Sequence, residues 1–407
     1  MQCRSCGTIV TRTFINLGMS PIANNLLTYE NTMNKEPTFP LHVMTCDKCR
    51  YVQLQEIVSR ETIFSKDYLY FSSYSSSWLE HSKAYAEKIT IELNLSKKDL
   101  VVEVASNDGY LLQYFHSLHI PVLGIEPAYE VAEVARGKGI ETINEFFGKD
   151  SAIRVVKSYR KAKLIIANNV LAHVPDIHDF IEGFSLLLED EGFITFEFPH
   201  LPNLIKLNQF DTIYHEHYSY LSLTALIPIF VNHGLKIVKT ENLETHGGSI
   251  RLTLVKMQSN VVVQNSVFKT LEMESKYDPL MDDVVAEFQK NAEKVGIELV
   301  KELKSAKEQG LRVAAYGAAA KGNTLLNYSK VNYNLISYVV DLNPSKQGKY
   351  LPGSLIPVVA VKALCEYKPD ILLVLPWNLA GEIKNQLYWL AEDGTKFLRA
   401  IPKVEYF

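Results

Sequence analysis

The sequence has few cysteines, no excess of basic charge and no long apolar run. It holds 42 Lys and Arg against 46 Asp and Glu, a formal charge of −4, and so lacks the basic footprint of general nucleic-acid binding. Its longest apolar run, 371–380, is too short to cross a membrane and contains Pro376. The first residues show no basic and then apolar signal pattern. We therefore expect a cytoplasmic protein that binds neither nucleic acid nor membrane.

Length and composition exclude a single small module. The chain has 407 residues, of which 47% are hydrophobic and 22% are charged. These values lie within the range of globular proteins and leave enough apolar material for more than one core. At roughly 150 residues per domain, the length predicts two or three domains.

Four of the five cysteines fall into two C-x2-C pairs, Cys3 with Cys6 and Cys46 with Cys49. Two such turns can close a tetrahedral zinc site of four thiolates, and a site without an open position predicts a structural metal. The alternative is a set of reduced or disulfide-linked cysteines, and the spacer 7–45 is longer than that of common zinc ribbons. We expect the fifth cysteine, Cys365, to be a small buried hydrophobe.

Short apolar runs alternate with helical segments from residue 100 onward, which predicts βαβ units and mainly parallel sheets. The predicted strands of a first sheet are 100–104, 121–125, 164–167, 193–198, 235–241 and 249–256. A long amphipathic helix over 281–307 is predicted to connect this unit to a second one. The second unit is predicted to have strands 312–316, 336–340 and 371–375 and helices 323–328 and 381–391. Strand-like pieces near the cysteines are 41–45 and 51–55.

The first strand of this series leads into a turn of small residues, Ala105-Ser-Asn-Asp-Gly109, before a helix. Such a turn brings backbone amides close to a ligand at the helix N-terminus. It is not the G-x-G-x-x-G dinucleotide fingerprint, because Ala105 and Asn107 stand where glycines would. Glu126 follows the second strand, where an acid can accept hydrogen bonds from ribose hydroxyls. Together with Glu103 on the first strand, this favours an adenosyl ligand without phosphates over an unspecific turn.

A second turn of small residues opens the C-terminal unit at Tyr316-Gly-Ala-Ala-Ala-Lys-Gly322. A lysine at a helix start favours a bound diphosphate, because the lysine and the helix N-terminus are both positive. Asp341 follows the next strand, where an acidic contact to a ribose or base would stand, and Lys346 and Lys349 come after it. The alternative is a degenerate Rossmann-like unit that only packs against the first one.

Three stretches, 101–112, 124–127 and 167–175, resemble the S-adenosylmethionine-binding elements of class I methyltransferases. With the cysteine pairs and the segments 214–218, 246–249 and 316–322, the chain resembles from end to end one family of enzymes. These are the three-domain, zinc-containing C-methyltransferases that act on nucleotide-linked 4-keto-deoxysugars.

That resemblance implies an α/β protein with three domains. They are a zinc-ribbon-like module over 1–65, a central class I (Rossmann-like) methyltransferase domain over 66–265 and a C-terminal Rossmann-like α/β domain over 266–407. The last of these would bind the nucleotide sugar.

The segment Tyr214-His-Glu-His-Tyr218 places two histidines, a carboxylate and two tyrosines at the ligand-binding edge of the first sheet. A metal cluster or a polar helix start is the alternative, although neighbouring side chains in an extended chain point to opposite faces. The resemblance assigns His217 as the base that removes a proton beside a sugar ketone, a role open to a neutral histidine at cellular pH. The enediolate carbon would then attack the electrophilic methyl group of S-adenosylmethionine.

The resemblance and the motifs together define four sets of site residues. The catalytic set is His217, Glu216, Tyr214, Tyr68, Tyr70 and His173. The cofactor-binding set is Glu103, Ala105, Ser106, Asn107, Gly109, Glu126, Pro127, Asn168 and Asn169. The substrate-binding set is His246, Ser249, Tyr316, Lys321, Asn323, Asp341, Lys346 and Lys349. The metal-binding set is Cys3, Cys6, Cys46 and Cys49.

These features predict a methyltransferase that uses S-adenosylmethionine as cofactor and Zn2+ as a structural metal. The predicted reaction is C-methylation of a nucleoside-diphosphate 4-keto-6-deoxy sugar at C3, by a monomer or weak homodimer. One competing function is an NAD(P)-dependent nucleotide-sugar oxidoreductase or epimerase, which the missing G-x-G-x-x-G disfavours. The other is a zinc-ribbon module for nucleic-acid or protein interactions, for which the composition lacks a basic, aromatic-rich face.

Overall fold

The computed structural model describes residues 1–56 and 71–407, so the predicted site residues Tyr68 and Tyr70 lie outside the described residues. Within those ranges the strands are β1 (Arg12–Ser20), β2 (Phe39–Thr45), β3 (Val52–Leu54), β4 (Val101–Val104), β5 (Val122–Ile125), β6 (Thr142–Ile143), β7 (Ala162–Asn168), β8 (Leu188–Pro199), β9 (Ser219–Tyr220), β10 (Leu235–Leu243), β11 (Ser249–Lys256), β12 (Val313–Tyr316), β13 (Val339–Val340), β14 (Val358–Val359), β15 (Ile371–Val374), β16 (Lys396–Arg399) and β17 (Glu405–Tyr406). The helices there are α1 (Ser76–Glu92), α2 (Leu112–Ser117), α3 (Tyr129–Gly137), α4 (Lys149–Ser158), α5 (Ile177–Leu187), α6 (Leu201–Lys206), α7 (Leu223–Asn232), α8 (Asn265–Glu274), α9 (Asp282–Glu308), α10 (Ala320–Tyr328), α11 (Ala363–Glu366), α12 (Ala380–Gln386) and α13 (Tyr388–Glu392).

The largest sheet has seven strands in the order β10-β11-β8-β7-β4-β5-β6. β11 runs antiparallel to β10 and β8, and the other pairings are parallel. The strand order reverses between β4 and β7, and open α/β sheets bind ligands outside the carboxyl ends of their strands at such a reversal. All six strands predicted for this sheet are present, and the α/β prediction is confirmed.

Helices cover both faces of this sheet. Val102 and Val104 belong to the core on one face, together with Phe184 of α5. Val101 belongs to the core on the other face, together with Phe115 of α2 and side chains of α1. β4 is therefore buried on both sides, which is why its sequence is nearly continuously apolar instead of alternating.

The C-terminal sheet has six strands in the order β14-β13-β12-β15-β16-β17, and only the pairing of β17 is antiparallel. Its order reverses between β12 and β15, which creates a second crevice at the carboxyl ends of these strands. The predicted strands 312–316 and 371–375 are confirmed, whereas 336–340 shortens to the two-residue β13. The predicted helix 381–391 is two helices, α12 and α13, which meet at Leu387.

The smallest sheet combines β1, β2 and β3 from the N-terminal segment with β9 from the middle of the chain, all antiparallel. β1 is not among the predicted strands. Two register shifts interrupt its pairing with β2, and the adjacent residues Phe14 and Ile15 are both in the core. Such irregularities remove the strict alternation that identifies a half-buried strand in a sequence.

α9 packs against both the N-terminal sheet and the C-terminal unit. The ring of Phe288 on α9 lies 5.4 Å from that of Phe14 on β1, measured between centroids. Leu299, further along α9, belongs to the same core as Val313 of β12. The helix predicted over 281–307 is confirmed, and it is more than a connector because the N-terminal module and the C-terminal unit share an apolar core along it.

Each sheet lies mainly within one of the three predicted domains, with β9 as the exception. The exact division of the chain stays a prediction. α8 begins at the predicted 265/266 boundary and packs on β10, where the hydroxyls of Thr270 and Thr240 lie 2.9 Å apart. α8 thus packs on the seven-stranded sheet.

The expectation that Cys365 is buried is wrong. Cys365 lies on the short helix α11, which turns Ala363 and Leu364 inward and leaves Cys365 exposed to solvent. In the part of the chain that the structure describes, no helix is both long and apolar enough to span a bilayer.

Candidate active site and metal centre

The four predicted metal ligands form one cluster. Their Sγ atoms lie within 4.8 Å of one another, and the Cys3–Cys49 and Cys6–Cys46 distances are both 3.6 Å. Zn–S bonds of about 2.3 Å in a tetrahedron separate the sulfurs by about 3.8 Å, so the cluster has the size that zinc requires. A disulfide would need an S–S distance of about 2.05 Å. The cluster therefore fits a structural zinc held by four thiolates, with no open position for a substrate.

The turn after β4 adopts the backbone shape that the glycine fingerprint normally provides. Ala105, Asn107 and Gly109 have φ angles of 56°, 50° and 75°, all in the left-handed region. Asparagine tolerates that region better than most residues, and glycine adopts it freely. The turn is braced by Glu126, whose carboxylate accepts hydrogen bonds from the backbone N–H groups of Asn107 at 2.9 Å and Ala128 at 2.8 Å.

Several buried polar atoms at the β4–β7 reversal lack a hydrogen-bond partner among the described residues. They are Ser106 Oγ, Asn168 Oδ1 and Asn169 Oδ1. Buried polar atoms are nearly always paired, so unpaired atoms gathered at a ligand-binding edge indicate that a polar ligand completes them. The predicted cofactor residues on both strands thus fit an adenosyl ligand.

Two carboxyl groups beside this crevice, those of Glu126 and Glu103, have raised pKa values. Burial raises the pKa of Glu126 to about 7, although the two backbone N–H donors oppose the shift. Burial also raises the pKa of Glu103 well above its usual range. Each oxygen of Glu126 keeps a further acceptor position, which suits hydrogen bonds from ribose hydroxyls.

Ser72 and Ser73 lie directly on the turn after β4. The backbone N–H of Ser72 donates to Asn107 Oδ1 at 2.8 Å, and the hydroxyl of Ser73 donates to the carboxylate of Asp108. Lys138 also binds Asp108, at 3.1 Å. Asp108 is thus a site-edge residue absent from the predicted set, although its position inside the small-residue turn was a signal for it.

His217 lies in the loop between the 3-10 turn 210–212 and β9. Its Nδ1 lies 2.8 Å from the carbonyl oxygen of Thr212, and its Nε2 lies 2.9 Å from the hydroxyl of Tyr214. Because a carbonyl can only accept, the Thr212 contact assigns the proton to Nδ1 and the lone pair to Nε2. Burial lowers the pKa of His217 well below its usual value, with the nearby His173 adding to the shift. The ring is therefore neutral near pH 7, with Nε2 as its basic atom.

Glu216 and His173 lie beside this base. The His173 ring stands 4.7 Å from that of His217, and its Nδ1 lies 2.8 Å from the Glu216 backbone carbonyl. Burial lowers the pKa of His173 to about 4 and raises that of Glu216 to about 7. The side-chain amide of Asn24, from the N-terminal module, donates to Glu216 Oε1 at 2.5 Å. The site thus combines two neutral imidazoles with a carboxyl group that titrates near neutrality.

The second crevice lies at the β12–β15 reversal. Lys321 Nζ donates to Asn378 Oδ1 at 2.9 Å and lies 4.8 Å from the ring centroid of Trp377. The Trp377 indole N–H donates to Asp211 Oδ2 at 2.7 Å. Burial lowers the pKa of Lys321 and raises that of Asp211 to about 7. This crevice therefore meets the segment that carries His217.

Asp341 and Lys346 lie at the same crevice. Asp341 accepts hydrogen bonds from the backbone N–H groups of Ala318 and Asn343, each at 2.8 Å. Lys346 Nζ lies 3.6 Å from Asp341 Oδ2. Its positive charge partly opposes the rise in the pKa of Glu216 that burial causes. Lys346 therefore brings positive charge toward both the second crevice and residues 211–218, the predicted catalytic segment.

The turn 245–248 closes against the C-terminal unit. His246 has a φ of 53°, and its ring lies 5.1 Å from that of Trp78. Gly247 has a φ of 89°, and a Cβ there would come within 2.3 Å of Trp377. The two glycines thus form a tight turn and also allow a close approach between domains.

Most of the remaining predicted substrate and cofactor residues make contacts within the protein. Ser249 Oγ donates to the Thr245 carbonyl at 3.0 Å, and the buried Asn323 donates to the Ala23 carbonyl at 3.0 Å. Tyr316 is buried in the C-terminal core, and the Lys349 side chain makes no hydrogen bond or ion pair with a described residue. Pro127 accepts a hydrogen bond from Asn144 through its carbonyl. The functional roles of these five residues stay predictions.

Asn24, Asp211, Trp377 and Asn378 contact the site but are absent from the predicted sets. Trp377 and Asn378 come directly after the strand predicted over 371–375, so the rule that ligands bind at carboxyl ends of strands could have found them. Asn24 lies in a loop far from the other motifs, and no local pattern marks it.

Comparison with known proteins finds matches along nearly the whole chain. Family models match at residues 3–64 (a zinc binding domain), 78–240 (a methyltransferase domain) and 244–402 (the C-methyltransferase C-terminal domain). The C-methyltransferase NovU of Streptomyces niveus is 33% identical over 402 residues, which cover 99% of this chain and 96% of that protein.

Solved structures align with a smaller part of the chain. An S-adenosylmethionine-dependent methyltransferase from Clostridium acetobutylicum is 13% identical, with a TM-score of 0.36, and covers 44% of this chain and 92% of its own. Magnesium protoporphyrin IX methyltransferase from Synechocystis is 15% identical, with a TM-score of 0.35, over 44% of this chain and 82% of its own.

The methyltransferase and zinc binding matches agree with the crevice at β4 and β7 and with the four-cysteine cluster. The protein is an S-adenosylmethionine-dependent enzyme with a zinc centre, and the full-length similarity to NovU places it among enzymes that methylate carbon. The chain belongs to the C-methyltransferase family.

Proposed function

We propose that the enzyme methylates C3 of a nucleoside-diphosphate 4-keto-6-deoxy sugar. The observation that carries the proposal is the geometry of His217, whose Nε2 lies 2.9 Å from the Tyr214 hydroxyl and whose ring stands 4.7 Å from that of His173. Carbon is not nucleophilic until a proton is removed, and a neighbouring ketone makes that proton acidic enough for a side-chain base. A C-methyltransferase with this cluster therefore suits a keto-sugar acceptor.

The second crevice supports a nucleoside diphosphate as the group attached to that sugar. Lys321 lies on the first turn of α10, where its ammonium group and the helix N-terminus both favour negative charge. Lys346 brings a second ammonium group, and Trp377 offers an aromatic face. A diphosphate held here would direct its sugar toward the catalytic segment, because Asp211 of that segment already contacts Trp377.

When bound at the β4–β7 crevice, S-adenosylmethionine supplies an electrophilic methyl group. Ser106, Asn168 and Asn169 would hold it through their unpaired polar atoms, and Glu126 would accept from its ribose hydroxyls. His173 follows Asn169 by four residues, so one loop links the cofactor crevice to the base.

The residues of the chain then carry out one proton transfer. His217 Nε2 takes the proton from the carbon beside the ketone, and the electron pair of that C–H bond forms the enediolate. The Tyr214 hydroxyl, 2.9 Å from Nε2, can turn to donate to the developing oxyanion. The new imidazolium is stabilised by the Thr212 carbonyl at Nδ1 and by the negative charge of the enediolate, which raises the proton affinity of His217 during the step.

Labelled S-adenosylmethionine and a panel of dTDP-, GDP- and CDP-linked 4-keto sugars test this proposal, with products read by mass spectrometry. We expect His217→Ala to lower methyl transfer by about 10²- to 10⁴-fold and to stop solvent exchange of the sugar's α-proton. Calorimetry should find S-adenosylmethionine binding nearly unchanged. His116→Ala, on the exposed side of α2, is the control and should keep full turnover.

Two results would overturn the proposal. Full turnover by His217→Ala would remove the histidine from the role of base. Absence of labelled product with every 4-keto sugar, from an enzyme that binds S-adenosylmethionine, would exclude the substrate class.

A further inference from the structure

The catalytic segment has almost no regular structure of its own. Between the 3-10 turn 210–212 and the two-residue β9, the residues that include His217 form no helix or strand. Their positions therefore depend on contacts with neighbouring elements, such as those of Glu216 with Asn24 and His173, and on contacts at the two ends of the segment. The upstream end is held by the C-terminal unit, because the Thr324 hydroxyl donates to the Ile213 carbonyl at 3.0 Å.

The downstream end is held by the zinc module. β9 pairs with β3, with Ser219 opposite Gln53 and Tyr220 opposite Val52. The hydroxyls of Tyr51 and Ser219 lie 2.6 Å apart and are buried. Ser219 and Tyr220 follow His217 by two and three residues, and Tyr51 follows Cys49 by two residues.

Arg4 connects the metal cluster to this junction. It lies between the ligands Cys3 and Cys6, and its guanidinium donates to the carbonyls of Leu54, at 2.9 Å, and of Tyr218. Its backbone N–H also donates to Gln53 Oε1 at 3.1 Å. The Tyr218 carbonyl accepts a second hydrogen bond from the Leu54 N–H at 3.0 Å. One side chain thus joins the first cysteine turn, β3 and the residue after His217.

The partners of Arg4 indicate that its shape matters more than its charge. Among the described residues, its hydrogen bonds go to carbonyl groups and none goes to a carboxylate. Its planar fork can bridge two carbonyls at a fixed spacing, which the single ammonium group of lysine cannot do.

We propose that Arg4 is a positioning residue that couples the zinc-bound cysteine turns to the catalytic segment and thereby fixes the orientation of His217. The inference rests on the proposed role of His217 as base. Misplacement of a catalytic group by about 1 Å can cost about 100-fold in rate, so loss of this link should affect turnover far more than binding.

Arg4→Lys and Arg4→Ala in the full-length, zinc-loaded enzyme test the proposal. We expect kcat to fall by about 10- to 100-fold while KM and the affinity for S-adenosylmethionine change by less than about threefold. Zinc content should remain one equivalent by elemental analysis. Arg12→Ala is the matched control: it removes a partly exposed arginine of the same module, on β1, that pairs with Asp47 at 2.7 Å and with Asp282 of α9.

A readout independent of turnover is the NMR titration of histidine-labelled enzyme. In Arg4→Lys, the His217 signal should move toward the position and pKa of an ordinary histidine, whereas in Arg12→Ala it should not move. If both Arg4 variants lose zinc, Arg4 serves the cysteine turn itself and the proposal is wrong. If Arg4→Lys keeps zinc and wild-type kcat, the proposal is equally wrong.

The same experiment separates this inference from the proposed function. A displaced His217 signal in an enzyme that methylates no 4-keto sugar would support the positioning role and reject the substrate. An undisplaced signal with unchanged methyl transfer would reject Arg4 and leave the substrate proposal in place.

Discussion

The carboxyl group of Glu216 is where the three parts of the chain come together. Its side chain accepts a hydrogen bond from Asn24 of the N-terminal module, and its backbone carbonyl contacts His173 of the central unit. Lys346 of the C-terminal unit adds positive charge nearby. With a pKa raised to about 7 by burial, Glu216 changes its charge within the physiological range. Under the proposed function, its neighbours therefore set how much carboxylate is available to hold a sugar hydroxyl.

We predict that Asn24→Ala moves the acidic limb of the pH profile of kcat/KM to higher pH. The Asn24 amide donates to the charged form of Glu216 and so lowers its pKa, and loss of the donor lets burial raise that pKa further. A displacement of one pH unit lowers the carboxylate fraction on that limb by about tenfold. Steady-state kinetics between pH 5 and 9 measure it, with the exposed neighbour Asn25→Ala as control. An unmoved limb would show that Asn24 does not tune Glu216.

Asn24 also shows what sequence patterns miss at the scale of single residues. His217, Glu216 and Tyr214 are adjacent in sequence, and a dense cluster of titratable side chains is visible without a structure. Asn24 reaches the same site from a loop that the C-terminal unit holds, through the hydrogen bond of Asn323 to the Ala23 carbonyl and the pairing of Leu27 with Tyr350. A contact between residues this far apart in the chain leaves no periodic trace in either segment.

At the scale of elements, strands that are buried on both faces could be predicted and irregular ones could not. β4 and β7 are mostly apolar, and the turns after them lie, as expected, at the carboxyl edge of the sheet. β1 escaped prediction because its register shifts bury adjacent side chains. β9 has two residues, and only its pairing with β3 makes it a strand.

The turn after β4 gives the element-scale prediction. Ala105 occupies the left-handed region, which costs about 1–2 kcal/mol for a residue with a Cβ and more for a β-branched one. We expect Ala105→Val to distort the turn and weaken S-adenosylmethionine binding by about tenfold or more, the equivalent of about 1.4 kcal/mol. Ala105→Gly fits the same backbone and should bind as the wild type does. Calorimetric titration measures both, and equal affinities for Val and Ala would contradict the strained-turn account.

At the scale of the whole molecule, the zinc module contacts the segment that carries His217. The active site was expected between the central and C-terminal units, and the N-terminal module also reaches it through Asn24 and through the pairing of β3 with β9. The module shares an apolar core with α9 at the same time. Because the four thiolates leave zinc no open position, the proposed role of His217 gives the metal a structural influence only, through β3 and its pairing with β9.

Cys46→Ser tests this architecture. Cys46 precedes β3, and its backbone N–H donates to the Tyr51 carbonyl, so loss of the ligand should loosen the start of β3 as well as empty the metal site. We expect zinc content to fall to near zero and methyl transfer to fall by about 100-fold, the cost of misplacing a catalytic group. S-adenosylmethionine affinity should change little, because its crevice is built by β4 and β7, which do not pair with the zinc module. The packing of Phe14 on Phe288 should keep most of the fold, which circular dichroism and thermal unfolding can verify.

Cys365→Ser, at an exposed position outside the cluster, should retain zinc, fold and turnover. Unchanged zinc stoichiometry in Cys46→Ser would remove Cys46 from the metal site, and full activity without zinc would mean that β9 keeps His217 in place without the metal.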